Sequence, residues 1–119
     1  MTWTWEFYTN PRGKSPVQEF FESRPDYVQA HFLGFLEIHI EPQPRGLIGK
    51  GGPFHLVDGH WQLRSYNCRF FGLEHPTRRQ HLIFFHAFEK KSKETPKNEL
   101  VTAEKKRKTI IKELEQVTG

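Results

Sequence analysis

Residues 81–88 read His-Leu-Ile-Phe-Phe-His-Ala-Phe. A run so continuously apolar, with polar segments at both ends, predicts an interior strand covered on both faces. That demand constrains the fold more than any other segment, because a strand of this kind needs apolar partners above and below it. Eleven Phe, three Trp and three Tyr among 119 residues provide the bulk. Such a content is incompatible with disorder as the main state. The length is that of one core, and residues 1–119 are read as a single domain.

The flanking segments say what surrounds the strand. Residues 2–8 alternate, with Trp3, Trp5 and Phe7 on one side and Thr2, Thr4, Glu6 and Tyr8 on the other, a half-buried strand. Asn10-Pro11-Arg12-Gly13 ends it as a turn. Ser15-Pro16-Val17-Gln18 predicts a helix start, with Ser15 as N-cap, Pro16 in the first helical position and Gln18 reaching back. Pro25 interrupts that helix, and Asp26 opens a second one or a kinked continuation. There Val28, Phe32, Phe35, Leu36 and Ile40 recur at helical spacing. Residues 41–53 hold three prolines and four glycines and read as a loop. Its Gly49-Lys50-Gly51 lacks the spacing of a Walker A phosphate loop.

Three strand candidates follow: Phe54–Arg64 with a break near Asp58-Gly59, then Cys68–Leu73, then Gln80–Phe88. Thr95-Pro96 opens a final helix. Its inner stripe is Leu100, Ala103, Arg107, Ile110, Ile111, Leu114 and Val117, and its outer face carries Lys105, Lys106, Lys108 and Lys112. The expected order is β-α-α-β-β-β-α. This is an α+β protein with two N-terminal helices and a C-terminal helix on a small, mainly antiparallel sheet.

Charge and cysteine usage narrow the function classes. Eighteen Lys/Arg against 14 Asp/Glu give +4 with histidines neutral, a balance that suits equally a phosphate-bearing partner or a merely soluble basic domain. No run approaches the ~20 apolar residues of a membrane span, and the first residues lack the pattern of a secretory signal. The lone cysteine, Cys68, forms no internal disulfide and reads as core packing, so the expected address is the cytoplasm. No His/Cys/Asp/Glu spacing suggests a metal site, and no cofactor motif is present.

The chemistry concentrates in cations. A two-residue turn at Tyr66-Asn67, with Asn67 tolerating the left-handed backbone, places Arg64 directly opposite Arg69. Trp61, Leu63, Phe70 and Gly72 then face inward, while Gln62, Arg64, Arg69 and Phe71 share the other face. Two opposed cations repel, and an anion between them relieves the repulsion. Alternatively, one arginine pairs with Glu6 or Glu74, or a longer turn separates the two. Lys90, Lys91 and Lys93 follow the apolar strand, either as phosphate contacts or as a solvated edge. His86 reads as a satisfied core histidine. His55 and His60 flank the loop before the Arg64 strand, better placed for proton transfer but with no partner visible in the sequence.

From Gly52 to about Ile111 the chain resembles the RelE/HigB superfamily of toxins, in its phage-derived HigB-like branch. The carrying strings are GGPFHLVDGHWQLR, RFFG and HLIFFHAFEKKSKETPKNELVTAEKK. They match the family at Asp58, Trp61, Leu63, Arg64, Arg69, His86, Phe88, Lys90, Lys91, Thr95, Pro96, Glu99 and Ala103. Gln62 stands where a Glu is usual, and Gly72-Leu73 where Tyr or Phe more often continues the strand. The resemblance implies a RelE-like fold and a type II toxin that cleaves messenger RNA in the ribosomal A site. Its reaction is a metal-independent attack of the ribose 2′-oxygen on the adjacent phosphorus. It also implies a HigA-like helix-turn-helix antitoxin as partner, and no cofactor. Arg64, Arg69, Lys90 and Lys91 are then the catalytic candidates; Lys50, His55, His60 and Lys93 are the candidate RNA contacts. A non-catalytic, phage-encoded RNA- or protein-binding module on the same fold is the alternative.

Overall fold

A computed structural model describes residues 3–42, 54–57, 59–91 and 96–118. β1 (Thr4–Phe7) leads into α1 (Pro16–Glu22) and α2 (Asp26–Phe35), and a π-helical turn, Leu36–Ile40, closes the helical segment. Four strands follow: β2 (Phe54–Val57), β3 (His60–Ser65), β4 (Cys68–Glu74) and β5 (His81–Glu89); α3 (Lys97–Thr118) comes last. The class is α+β, as the sequence implies. The order carries one strand more than expected, because Phe54–Arg64 breaks at Gly59 into a hairpin. Gly59 sits at φ +86, a left-handed backbone that lets the chain reverse there.

The five strands form one sheet in the order β1-β5-β4-β3-β2. All neighbours are antiparallel except β1, which runs parallel to β5. β5 therefore lies inside the sheet, and both of its faces are covered. Leu82 and Phe84 join a core under α1 and α2 that includes Trp3, Val17, Phe21, Val28, Phe32, Leu63 and Phe70. Ile83, Phe85 and Phe88 join a second core with Phe71, Leu73 and, from α3, Ala103 and Ile110. Helices thus sandwich the sheet.

A bulge lets β5 serve both cores. Phe71 pairs with His86 but Gly72 pairs with Phe84, so β5 carries one extra residue, Phe85, at that point. Gly72 suits the close approach: a Cβ there would lie 3.1 Å from a ring carbon of Phe84, which would have to shift by a few tenths of an ångström. Two smaller expectations change. Ser15 precedes α1 without capping it, and its hydroxyl donates to Tyr8 O at 2.7 Å instead. On the hairpin's other face, Gln62, Arg69 and Phe71 are buried, and Phe71 joins the core that α3 shares. Thr95, the expected cap of α3, lies outside the described residues.

Phe32 is the hub of the larger core, fully buried with ring centroids 4.5 Å from Phe70, 5.2 Å from Phe84 and 5.1 Å from Phe21. Phe32→Ala should cost about 3–5 kcal/mol, since neighbours drawn from strands and helices cannot collapse into the void together. Denaturant unfolding measures this, with a loss below about 1 kcal/mol contradicting the central role of that ring.

Candidate functional site

The β3–β4 hairpin closes as expected, with Ser65 opposite Cys68 and Arg64 opposite Arg69. The left-handed residue, however, is Tyr66 at φ +55 and not Asn67. Arg69 explains how the turn holds. Its Nη1 donates to Tyr66 O and to Cys68 O, each at 3.0 Å, so the guanidinium ties the carbonyls of its own turn together. Arg69 is buried, whereas Arg64 across from it is exposed. Burial lowers the Arg69 pKa and the neighbouring Arg64 lowers it further. It remains a cation at physiological pH, since guanidinium groups start above 12.

The carboxylates proposed as partners are engaged elsewhere. Glu6 binds His81 Nε2 at 2.5 Å and lies 3.8 Å from Arg78, while Glu74 accepts from Trp61 Nε1 at 3.2 Å. The end of β5 joins the hairpin tip through Lys90 N, which donates to Asn67 O at 2.6 Å. Glu89, the one acid there on β5, is neutralised by Arg24 at 2.7 Å. Among the described residues, Arg64, Lys90 and Lys91 make no ion pair, and Arg69 bonds only to backbone. Opposed side chains on neighbouring strands have Cβ atoms about 5 Å apart. Like charges so placed, with no carboxylate between them, favour an anion, and a phosphate matches the arginine fork.

The candidate RNA contacts fare differently. His60 is buried, its ring 4.5 Å from Phe71 and 6.0 Å from Phe85, so it stands in the core beneath α3 and not on a surface. Lys50, Lys93 and the His55 side chain lie outside the described residues; the His55 backbone pairs with Gln62. Among the described residues, no three His, Cys, Asp or Glu side chains converge as a metal site would require, and no helix is long and apolar enough to cross a membrane. Cys68 is buried in the larger core, and burial raises its thiol pKa, so it packs as an apolar group.

Sequence reasoning missed a polar network and an aromatic cluster. His86 is indeed buried and satisfied, with Nε2 donating to Glu99 Oε1 at 2.8 Å and Nδ1 accepting from Lys106 Nζ at 3.1 Å. Lys106, assigned to the outer face of α3, turns its ammonium inward to do this. A cleft of about 320 Å³ lined by Tyr8, Val17, Phe85 and Ile110 shares Lys106 with the network and includes none of the four catalytic candidates. The cluster is Tyr27, His31 and Tyr66 at the hairpin tip. Its only sequence signal is a bulky aromatic in a turn position that glycine usually takes. Compared with protein-family models and with curated proteins, the chain matches none.

The network has a pH signature. Burial lowers the His86 pKa; the Glu99 hydrogen bond opposes this and the Lys106 charge adds to it. The folded protein therefore resists a proton that the unfolded chain accepts below about pH 6.5. Stability should be full above that pH and decline as the pH falls through it. His75, also lowered by burial, acts in the same direction. His86→Gln should make the decline of melting temperature between pH 7 and pH 5 shallower without abolishing it. An unchanged slope would remove His86 from the acid response.

Proposed function

We propose that the chain is a RelE/HigB-like toxin: a cytoplasmic, ribosome-dependent messenger-RNA endonuclease held in check by a HigA-like helix-turn-helix antitoxin. The observation that carries this reading is the set of cations gathered at one end of the sheet, where the acid on β5, Glu89, is taken up by Arg24. Arg64 stands opposite Arg69, and Lys90 is pinned to the same hairpin tip. A RelE-like arrangement is consistent with two helices ahead of the hairpins and a long helix behind them, as the family strings imply.

In the proposed reaction the ribose 2′-oxygen loses its proton and attacks the adjacent phosphorus. The bond to the 5′-oxygen breaks, and that oxygen takes up a proton, leaving a 2′,3′-cyclic phosphate and a 5′-hydroxyl. The pentacovalent intermediate carries extra negative charge, which Arg64, Lys90 and Lys91 stabilise. Arg69 contributes charge from behind while fixing the turn that presents Arg64. A site on so small a protein relies on the ribosome to bring the 2′-oxygen in line with the leaving group. One observation favours the second reading, a non-catalytic binding module: the Arg69 guanidinium is already bonded to its own hairpin.

Single-turnover cleavage on programmed ribosomes separates the two. Arg64→Ala should slow cleavage by about 10²-fold or more with an unchanged melting temperature, because Arg64 is exposed and its loss relieves repulsion. Arg69→Ala should lower stability and cleavage together. Free RNA should be cut poorly by the parent. Absence of cleavage on ribosomes by the parent, or parental rates in Arg64→Ala, would overturn the endonuclease reading.

A further inference from the structure

On the α2 side of the same hairpin tip, two tyrosines stand in solvent. Tyr27 is 59% exposed and Tyr66 58% exposed, with their rings edge to face at 4.8 Å. His31 completes the cluster 5.3 Å from Tyr66. It is held from below: His31 Nδ1 lies 2.8 Å from Ser65 Oγ, and that buried hydroxyl donates to Val28 O at 3.3 Å. The rings are thus fixed at their base and open outward.

The backbone supplies an independent observation. Tyr66 occupies the first turn position at φ +55, where glycine sits without strain and a bulky side chain does not. The buried Arg69 guanidinium restrains that strained residue through its carbonyl. An aromatic side chain is therefore presented to solvent at a cost in stability, and it gains little burial in return.

Charge indicates the chemistry of what the rings meet. Neighbouring residues on a strand point to opposite faces, so Arg64 emerges on one side of the tip and the tyrosines lie on the other. Lys90 is attached to the tip itself. A strand crossing this ridge would place a phosphate against Arg64 and Lys90 and the next base against the rings. Duplex bases are already stacked on one another, so the arrangement suits an unpaired strand.

We propose that Tyr66, braced by Tyr27 and His31, is a stacking platform for one unpaired base of single-stranded RNA whose adjoining phosphate lies on Arg64 and Lys90. The inference rests on the reading of the chain as a protein that acts on RNA, and it assigns to that site a nucleotide contact on the α2 side of the sheet.

The test uses the full-length protein at low salt and a 2′-O-methyl oligouridine, which has no attacking hydroxyl, with 2-aminopurine at one position. Stacking quenches 2-aminopurine fluorescence. The parent should quench it on binding. Tyr66→Gly should lose most of the quench and bind roughly tenfold more weakly, with an equal or higher melting temperature because glycine suits the turn. Tyr66→Phe should retain quench and affinity, and Tyr27→Ala, on an exposed helix face, should reduce both. Arg64→Ala should weaken binding yet still quench at saturation. Parental quench and affinity in both Tyr66→Gly and Tyr27→Ala would overturn the proposal and leave the tyrosines to a protein partner, as would absence of quench in the saturated parent. The ribosome assay stands apart: a parent that quenches but does not cleave keeps the platform and loses the endonuclease.

Discussion

The burial of β5 on both faces is the constraint on which the rest of the structure depends. A strand with Leu82 and Phe84 on one side and Ile83, Phe85 and Phe88 on the other cannot be satisfied by a single layer of helices. It forces α1 and α2 onto one face and α3 onto the other. The bulge at Phe85 adjusts the spacing, and Gly72 gives Phe84 room to cross close to β4. Because β5 is rigid on both faces, its exit at Glu89-Lys90 is a fixed point, and the hairpin tip binds to it through Asn67 O.

That fixed point turns a local arrangement into a site. Opposed arginines on an isolated hairpin would drift apart, since long cationic side chains repel and solvent screens them. Here Arg69 is held by two backbone carbonyls, and the acid nearest the tip on β5 is taken up by Arg24. Among the described residues, Arg64, Lys90 and Lys91 form no ion pair. On the proposed reading, a phosphate supplied from outside would relieve their charge.

Stability and presentation pull against each other at the turn. Glycine at position 66 would relax the backbone, and a carboxylate near Arg69 would settle its charge. Position 66 is Tyr, and the described bonds of Arg69 run to backbone carbonyls. Strain of this kind persists where surrounding structure overdetermines the conformation, and the Arg69 tie provides that overdetermination. The same logic applies to His86, which is held neutral between Glu99 and Lys106 within a largely apolar layer.

Periodicity alone determined which segments become strands and helices. The alternation at residues 3–7, the helical spacing from Val28 to Ile40, and the unbroken apolar run of β5 all depend on near neighbours in the chain. The pairing of Arg64 with Arg69 followed only if the turn held two residues, and the structure has that register. What the chain could not disclose depends on distant partners. Whether Arg69 meets Glu6, Glu74 or backbone is settled by its burial and by the competing claims of His81 and Trp61. His60 entered the core, and Lys106 turned inward, because α3 packs across the face that the hairpin pattern left polar. The left-handed backbone falls on Tyr66 and not Asn67, and Tyr66 is there bonded by Arg69 and packed beside Tyr27 and His31. Local patterns record which groups a segment can bury; only the assembled layers decide which groups they meet.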